Sequence, residues 1–199
     1  RVEISLGRAF EVSSNIGIAR TIVDIYEDKP QEFIDRLARL GVSNKLDFEL
    51  LGEAEPWIKN RSDKSWSGVS LPWISYGYEL EMSALQILAL YNAVANNGEL
   101  VKPYLVDRVQ SGEYVVTGSK TVEILKPSIC SEKTISILQD LLEGVVENGT
   151  ATNIYSKKYT CAGKTGTAKI ASQGSYGSEY RASFVNVYAA GALPDMVTM

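Results

Sequence analysis

Residues 163–171 read Gly163-Lys164-Thr165-Gly166-Thr167-Ala168-Lys169-Ile170-Ala171, and they begin a run of strand patterns that sets the architecture of the chain. A second strand pattern runs from Tyr180 to Gly191. The residues from Ser172 to Ser178, rich in serine and glycine, predict a hairpin loop between the two. A third strand is expected to begin at Met196–Met199. The end of the chain therefore predicts an antiparallel sheet.

Helices are predicted before this sheet, because apolar residues recur there with helical spacing. Residues 14–27 and 28–40 each predict one helix. Asp28 is expected to cap the second of these, with Gln31 as its capping-box partner and Gly41 at its end.

Two further helices are predicted in the middle of the chain, from Ser83 to Asn97-Gly98 and from Ser131 to about residue 148. Residues 42–81 lack a clear period and predict a long loop with short strands. Residues 100–126 alternate as strands do, with turns at Ser111-Gly112 and Thr117-Gly118. Helices followed by an antiparallel sheet place the chain in the α+β class.

Composition limits the possible chemistry. The 24 acidic and 20 basic residues are well mixed, which argues against nucleic acid as a partner. The chain contains no histidine, so it lacks both a histidine base and the commonest metal ligand. Cys130 and Cys161 fit no zinc spacing; two free thiols are favoured, and a single disulfide is the alternative. Lysine, carboxylate and hydroxyl groups are left to carry any reaction.

The Lys164-Thr165-Gly166 triplet carries the sharpest chemical signal. It brings an ammonium and a hydroxyl to the start of an edge strand, and the glycine leaves room for a substrate backbone to lie against that edge. Taken alone, the triplet fits a solvated lysine beside a bulge glycine better than it fits a catalytic site. Ser13-Ser14-Asn15, at the start of the first predicted helix, indicates by itself only a helix cap.

Together and in this order, the two motifs resemble the Ser-x-Asn and Lys-Thr-Gly motifs of penicillin-binding proteins and class A β-lactamases. The long interval between Asn15 and Lys164, without a Glu-x-x-Leu-Asn loop, favours a class B penicillin-binding protein over a β-lactamase. The resemblance covers nearly the whole chain and also includes Tyr76–Leu80, Ser83–Gln86, Tyr91–Gly98, Glu147–Ala151 and Arg181–Phe184.

This resemblance implies an α+β fold of the penicillin-binding and β-lactamase type. It implies a peptidoglycan D,D-transpeptidase of cell division or cell shape, which cross-links stem peptides through a serine acyl-enzyme, needs no cofactor and is the target of β-lactams. The complete protein would be anchored in the cytoplasmic membrane and act on its outer face. Its expected partners there are a glycosyltransferase and the divisome or elongasome.

The resemblance also implies roles for individual residues. Ser13 would relay a proton to the leaving group, and Asn15 would hold the substrate amide. Lys164 would set the electrostatics of the proton relay. Thr165, Gly166 and Thr167 would bind the substrate, the two threonines through its carboxylate, and the backbone N–H of Thr167 would supply half of an oxyanion hole.

The nucleophile motif of the family, Ser-x-x-Lys, does not occur in this sequence, because none of the twelve lysines has a serine three residues before it. Thr117 with Lys120 is the nearest match and follows Ser13 instead of preceding it. We therefore expect residues 1–199 to be a partial transpeptidase domain, inactive alone, whose nucleophile precedes Arg1 and whose C-terminal end is missing. A non-catalytic penicillin-binding-like sensor or scaffold and a D,D-carboxypeptidase remain alternatives.

Overall fold

The computed structural model describes residues 3–47, 49, 51–117, 121–172 and 175–190, with backbone only for residues 115, 117, 168–172 and 175–190. The α-helices are α1 Leu6–Glu11, α2 Asn15–Tyr26, α3 Pro30–Leu37, α4 Ser70–Ser75, α5 Ala84–Ala95 and α6 Glu132–Glu147. The strands are β1 Trp57–Ile58, β2 Leu80–Glu81, β3 Leu100–Val101, β4 Val109–Ser111, β5 Tyr114–Thr117, β6 Ile124–Lys126, β7 Thr160–Ser172 and β8 Ser175–Ala190. This mixture confirms the predicted α+β class.

The chain begins with three helices where the sequence predicted two. Helix α1 was missed because it has only six residues, too few to show a helical period. The side chain of Ser5 caps it by accepting a hydrogen bond from the Arg8 N–H at 3.1 Å. Helix α2 follows the prediction closely, and the side chain of Ser14 caps it by accepting from the Gly17 N–H at 3.2 Å.

The predicted capping box of α3 is wrong. Lys29 occupies the N-cap position and makes no side-chain cap, and Pro30, which has no N–H to satisfy, takes the first helical position. The side chain of Gln31 instead donates to Asp35 at 2.9 Å and accepts from the Arg61 N–H at 3.1 Å. The helix continues as a π turn over Ala38–Val42, in which Gly41 turns the chain with a φ of 92°.

Residues 42–81 form a loop with the short strands that were predicted, but also a helix that was not. Strands β1 and β2 pair antiparallel, with Ile58 opposite Leu80. Helix α4 has six residues with Pro72 inside it, which hides its helical signal in the sequence. It packs against α2.

Helices α5 and α6 confirm their predictions. Ser83 and Gln86 form a complete capping box at the start of α5, and Gly98, with a φ of 96°, follows its end. The side chain of Ser131 caps α6, which ends at Asn148 as its C-cap. Among the described residues, no helix is long and apolar enough to cross a membrane.

The described strands form four two-stranded antiparallel sheets, and the β7–β8 hairpin is the longest of them. Strand β8 begins at Ser175, so most of the loop predicted between Ser172 and Ser178 is strand. The turn predicted at Ser111-Gly112 joins β4 and β5, while Gly118 of the other predicted turn lies outside the described residues. Gly191 and the third strand expected at Met196–Met199 also lie outside them.

The core lies between α5, α6 and β7, and it fixes where the turn after α1 lies. One buried cluster joins residues of α5 and α6 to Ala162 of β7, and a second joins Val145 and Val146 of α6 to Cys161. Phe10 of α1 packs against both clusters. The last turn of α1 is therefore held close to the start of β7.

Candidate active site

The turn between α1 and α2 brings Ser13 to the site. The N–H of Ser13 donates to the Phe10 carbonyl at 3.1 Å, and the N–H of Ser14 donates to the Ala9 carbonyl at 2.8 Å. This tight reversal gives Ser13 a φ of 52°, in the left-handed region that non-glycine residues rarely adopt. Such strain recurs at functional sites, where the surrounding structure holds a side chain in one place.

Lys164 reaches Ser13 from the other side of the site. The ammonium of Lys164 donates a hydrogen bond to the Ser13 hydroxyl and a second one to the Thr165 carbonyl at 3.0 Å. The ammonium also lies 5.6 Å from the centre of the Phe10 ring. Burial lowers the pKa of the Lys164 ammonium below its ordinary value, because a partly apolar environment disfavours the charged form.

Three hydroxyl groups lie in a row beside this lysine. The Ser13 Oγ and the Thr165 Oγ1 are 3.4 Å apart, and the Thr165 Oγ1 is 2.6 Å from the Thr150 Oγ1. The structure thus brings three of the predicted site residues together: Ser13, Lys164 and Thr165. Such an array of hydroxyls beside an ammonium can pass a proton and can donate to an anion.

Thr150 was not predicted as a site residue. The sequence pointed to it only as part of the resemblance over Glu147–Ala151. Its hydroxyl enters the site because α6 ends beside the start of β7, a neighbourhood that no spacing along the chain reveals.

Asn15, Gly166 and Thr167 do not touch Ser13. Asn15 is exposed at the first position of α2, and its side chain makes no hydrogen bond within the described part of the chain. Gly166 and Thr167 are exposed on β7, opposite Ser183 and Ala182 of β8. In the described residues β7 pairs with β8 alone, so its other edge offers open backbone groups to a ligand. The roles of these three residues remain predictions.

Comparison with solved structures places this geometry in a known fold. The D,D-transpeptidase domain of a peptidoglycan glycosyltransferase from Eggerthella lenta superimposes with a TM-score of 0.77 at 26% identity, over 92% of this chain and 45% of that one. Penicillin binding protein 3 from Mycobacterium tuberculosis, in its apo form, gives a TM-score of 0.74 at 25% identity, over 92% of this chain and 41% of that one. These neighbours confirm the predicted transpeptidase fold.

Sequence comparison agrees. A peptidoglycan D,D-transpeptidase FtsI homolog from Mesostigma viride is 27% identical over an alignment of 184 positions, and the match covers 84% of this chain and 30% of the relative. The chain thus spans less than a third of that relative's length. The family model for the penicillin binding protein transpeptidase domain matches residues 1–198. The chain therefore belongs to the penicillin-binding protein transpeptidase family, as the Ser-x-Asn and Lys-Thr-Gly motifs predicted.

Proposed function

We propose that this chain forms two walls of the active site of a peptidoglycan D,D-transpeptidase that works through a serine acyl-enzyme. The observation that carries the proposal is the contact between Lys164 and Ser13, which lie 151 positions apart in the sequence. The fold brings the Ser-x-Asn and Lys-Thr-Gly motifs together at this contact, and the Thr165 hydroxyl lies beside it.

The chemistry requires a nucleophile, and the sequence contains no Ser-x-x-Lys motif that would supply it. We assign it to the serine of a Ser-x-x-Lys segment outside these 199 residues, whose lysine would serve as the base. That serine would attack the carbonyl of the penultimate D-alanine of a stem peptide and expel the terminal D-alanine. The amine of a second stem peptide would then take the acyl group and release the serine.

The residues of this chain would handle protons and charge in these steps. Ser13 would pass a proton to the departing amine, because it is a neutral hydroxyl within reach of an ammonium. Lys164 would favour the negative charge that develops nearby. Thr165 and Thr167 would bind the substrate carboxylate, and Asn15 would hold its amide.

The same site would accept β-lactams. Penicillin binding protein 3 from Mycobacterium tuberculosis has been solved in complex with aztreonam and with ampicillin. The transpeptidase names of the relatives from Mesostigma viride, Buchnera aphidicola and Escherichia coli favour cross-linking over the sensor or carboxypeptidase alternatives. We place the complete protein outside the cytoplasm, anchored in the membrane, with glycosyltransferase and divisome or elongasome partners.

The test compares the full-length protein with the 199-residue chain. Both are treated with a fluorescent penicillin and analysed by intact mass spectrometry. We expect one covalent adduct on the full-length protein and none on the chain. An adduct on the chain would overturn the placement of the nucleophile outside it.

A second assay separates the alternatives. The full-length protein is given two stem peptides, one of which ends in D-alanyl-D-alanine and one of which carries a free acceptor amine. A cross-linked dimer is expected, together with free D-alanine. D-Alanine without the dimer would indicate a carboxypeptidase, and neither product nor penicillin adduct would indicate a sensor or scaffold.

A further inference from the structure

We infer that Thr150 is a positioning residue that fixes the hydroxyl of Thr165 for substrate binding; the inference rests on the proposed transpeptidase function. The two hydroxyl oxygens are 2.6 Å apart, a normal distance for a strong O–H···O hydrogen bond. On its other side, the Thr165 Oγ1 is 3.4 Å from the Ser13 Oγ. Thr150 is thus the third member of the hydroxyl row, and its hydroxyl oxygen lies closer to that of Thr165 than the Ser13 oxygen does.

The backbone of Thr150 is itself held in place. Its N–H donates to the Glu11 carbonyl at 3.1 Å, which ties the residue to the last turn of α1. Gly149 allows this approach, since a Cβ at that position would lie 2.3 Å from the same carbonyl oxygen. The connection between the two helix ends is therefore close and leaves little freedom at residue 150.

An arginine strengthens the same junction. The Arg8 guanidinium donates to the Asn148 carbonyl at 2.7 Å and to the Glu11 carboxylate at 3.0 Å. Arg8 thus bridges α1 to the C-terminal end of α6, just before Thr150. Because α1 also leads into Ser13, one junction fixes both hydroxyls that flank Thr165.

The consequence concerns the direction of the Thr165 hydroxyl. A threonine hydroxyl has a single proton and two acceptor positions, and it rotates to suit its partners. If Thr150 donates to the Thr165 oxygen, the Thr165 proton is left for a third group. A substrate carboxylate on the exposed side of β7 would be that group. Thr150 would thus act on substrate binding without touching the substrate.

The test uses Thr150→Val, which keeps the shape of the side chain and removes the hydroxyl, and Thr150→Ser, which restores it. Thr152→Val is the matched control, because Thr152 is exposed two residues away and its side chain makes no hydrogen bond in the described structure. The concentration dependence of acylation of the full-length protein by fluorescent penicillin separates the apparent Kd from the acylation rate constant. All variants are compared at equal fractions of active protein.

We expect Thr150→Val to raise the apparent Kd by about tenfold, because Thr165 would lose its hydrogen bond to the charged ligand when its hydroxyl is no longer held. The rate constant should change by less than about twofold. Thr150→Ser and Thr152→Val should match the unmodified protein. An unchanged Kd in Thr150→Val, or an equal loss in Thr150→Ser, would overturn the inference.

A structural measurement keeps this result separate from a failure of the proposed function. In the full-length protein, three-bond NMR couplings report the χ1 rotamer of Thr165. We expect one rotamer in the unmodified protein and in Thr150→Ser, and rotamer averaging in Thr150→Val. If the full-length protein takes no penicillin but Thr165 averages as expected, the proposed function fails and the positioning contact stands. A single Thr165 rotamer in Thr150→Val would show that Thr150 does not position the Thr165 side chain, and it would overturn the inference.

Discussion

The ammonium of Lys164 and the hydroxyl of Ser13 form a hydrogen bond across the site, although 151 positions separate them in the sequence. Ser13 lies on a strained turn with a φ of 52°, and Lys164 comes from a strand that packs on α6. The fold therefore fixes the backbone positions from which the two side chains meet. The contact therefore belongs to the fold and does not depend on a substrate to form it.

Removal of the Ser13 hydroxyl should slow acylation in the full-length protein. We expect Ser13→Ala to lower the second-order rate constant with fluorescent penicillin by about 10²–10⁴-fold, the usual contribution of a group that transfers a proton. Ser14→Ala is the control, because the adjacent hydroxyl caps α2 by accepting from Gly17. That variant should lose about 1 kcal/mol of stability and keep its acylation rate. Equal rate losses in both variants would remove the assignment of Ser13.

The pH dependence of stability should report the burial of Lys164. Desolvation lowers the pKa of its ammonium in the folded chain, so the folded state binds this proton less tightly than the unfolded state. Between the lowered pKa and the ordinary value of 10.5, unfolding takes up a proton, and a rise in pH through this window therefore stabilises the fold. Below the window both states are charged and the fold bears the full desolvation cost.

The measurement is urea unfolding of the unmodified chain and of Lys164→Met, near neutral pH and near 10.5. The free energy of unfolding of the unmodified chain should rise relative to that of Lys164→Met as the pH increases. Lys133→Met, on the exposed surface of α6, is the control for the loss of a lysine elsewhere. If the free energy of unfolding of the unmodified chain falls relative to that of Lys164→Met as the pH increases, the lowered pKa of Lys164 is contradicted.

Elements with strong local signals could be predicted from the sequence. The capping box at Ser83 and Gln86 and the cap at Ser131 place α5 and α6 almost to the residue, because the signals are local hydrogen bonds. The strand pattern around Lys164 likewise predicts β7. The six-residue helices α1 and α4 escape prediction because they show less than two full turns of any period.

The site was only partly predictable for a related reason. Motif order indicates that Ser13 and Lys164 work together, but it gives no contact between them. Thr150 enters the site through the junction of Arg8, Glu11 and the end of α6. That junction depends on tertiary packing between residues about 140 positions apart, which no local pattern encodes.

The buried ion pair of Lys59 and Glu79 was not predicted either, and it leads to a test of stability. The two charged groups are 2.6 Å apart, and the Lys59 side chain is 6% exposed. The second carboxylate oxygen of Glu79 is buried and has no hydrogen-bond partner in the described structure. Lys59→Met should therefore cost about 3–5 kcal/mol, because it leaves a buried carboxylate without its cation.

Urea unfolding measures this cost. The double variant Lys59→Met with Glu79→Leu should recover most of the loss, because no charge is left buried. Lys29→Met, which breaks the exposed ion pair with Glu32, should have little effect on stability. If Lys59→Met proves as mild as Lys29→Met, the pair is not buried in solution.

Gly149 offers the most direct test of the junction that carries Thr150. A Cβ at this position would lie 2.3 Å from the Glu11 carbonyl oxygen and 2.8 Å from the backbone of Val145, so two backbone segments would have to move apart. Gly149→Ala should therefore cost about 1–3 kcal/mol of stability, as overpacking does elsewhere. Gly68→Ala is the control, because a Cβ there would meet nothing within 4 Å.

The same variant should also alter the site. Separation of Glu11 from residue 149 removes the backbone hydrogen bond to Thr150, so the Thr150 hydroxyl should move away from Thr165. We expect Gly149→Ala to raise the apparent Kd for fluorescent penicillin in the full-length protein, whereas Gly68→Ala leaves both stability and Kd unchanged. A loss of stability without a change in Kd would show that the α1–α6 junction supports the fold but does not position the hydroxyl row.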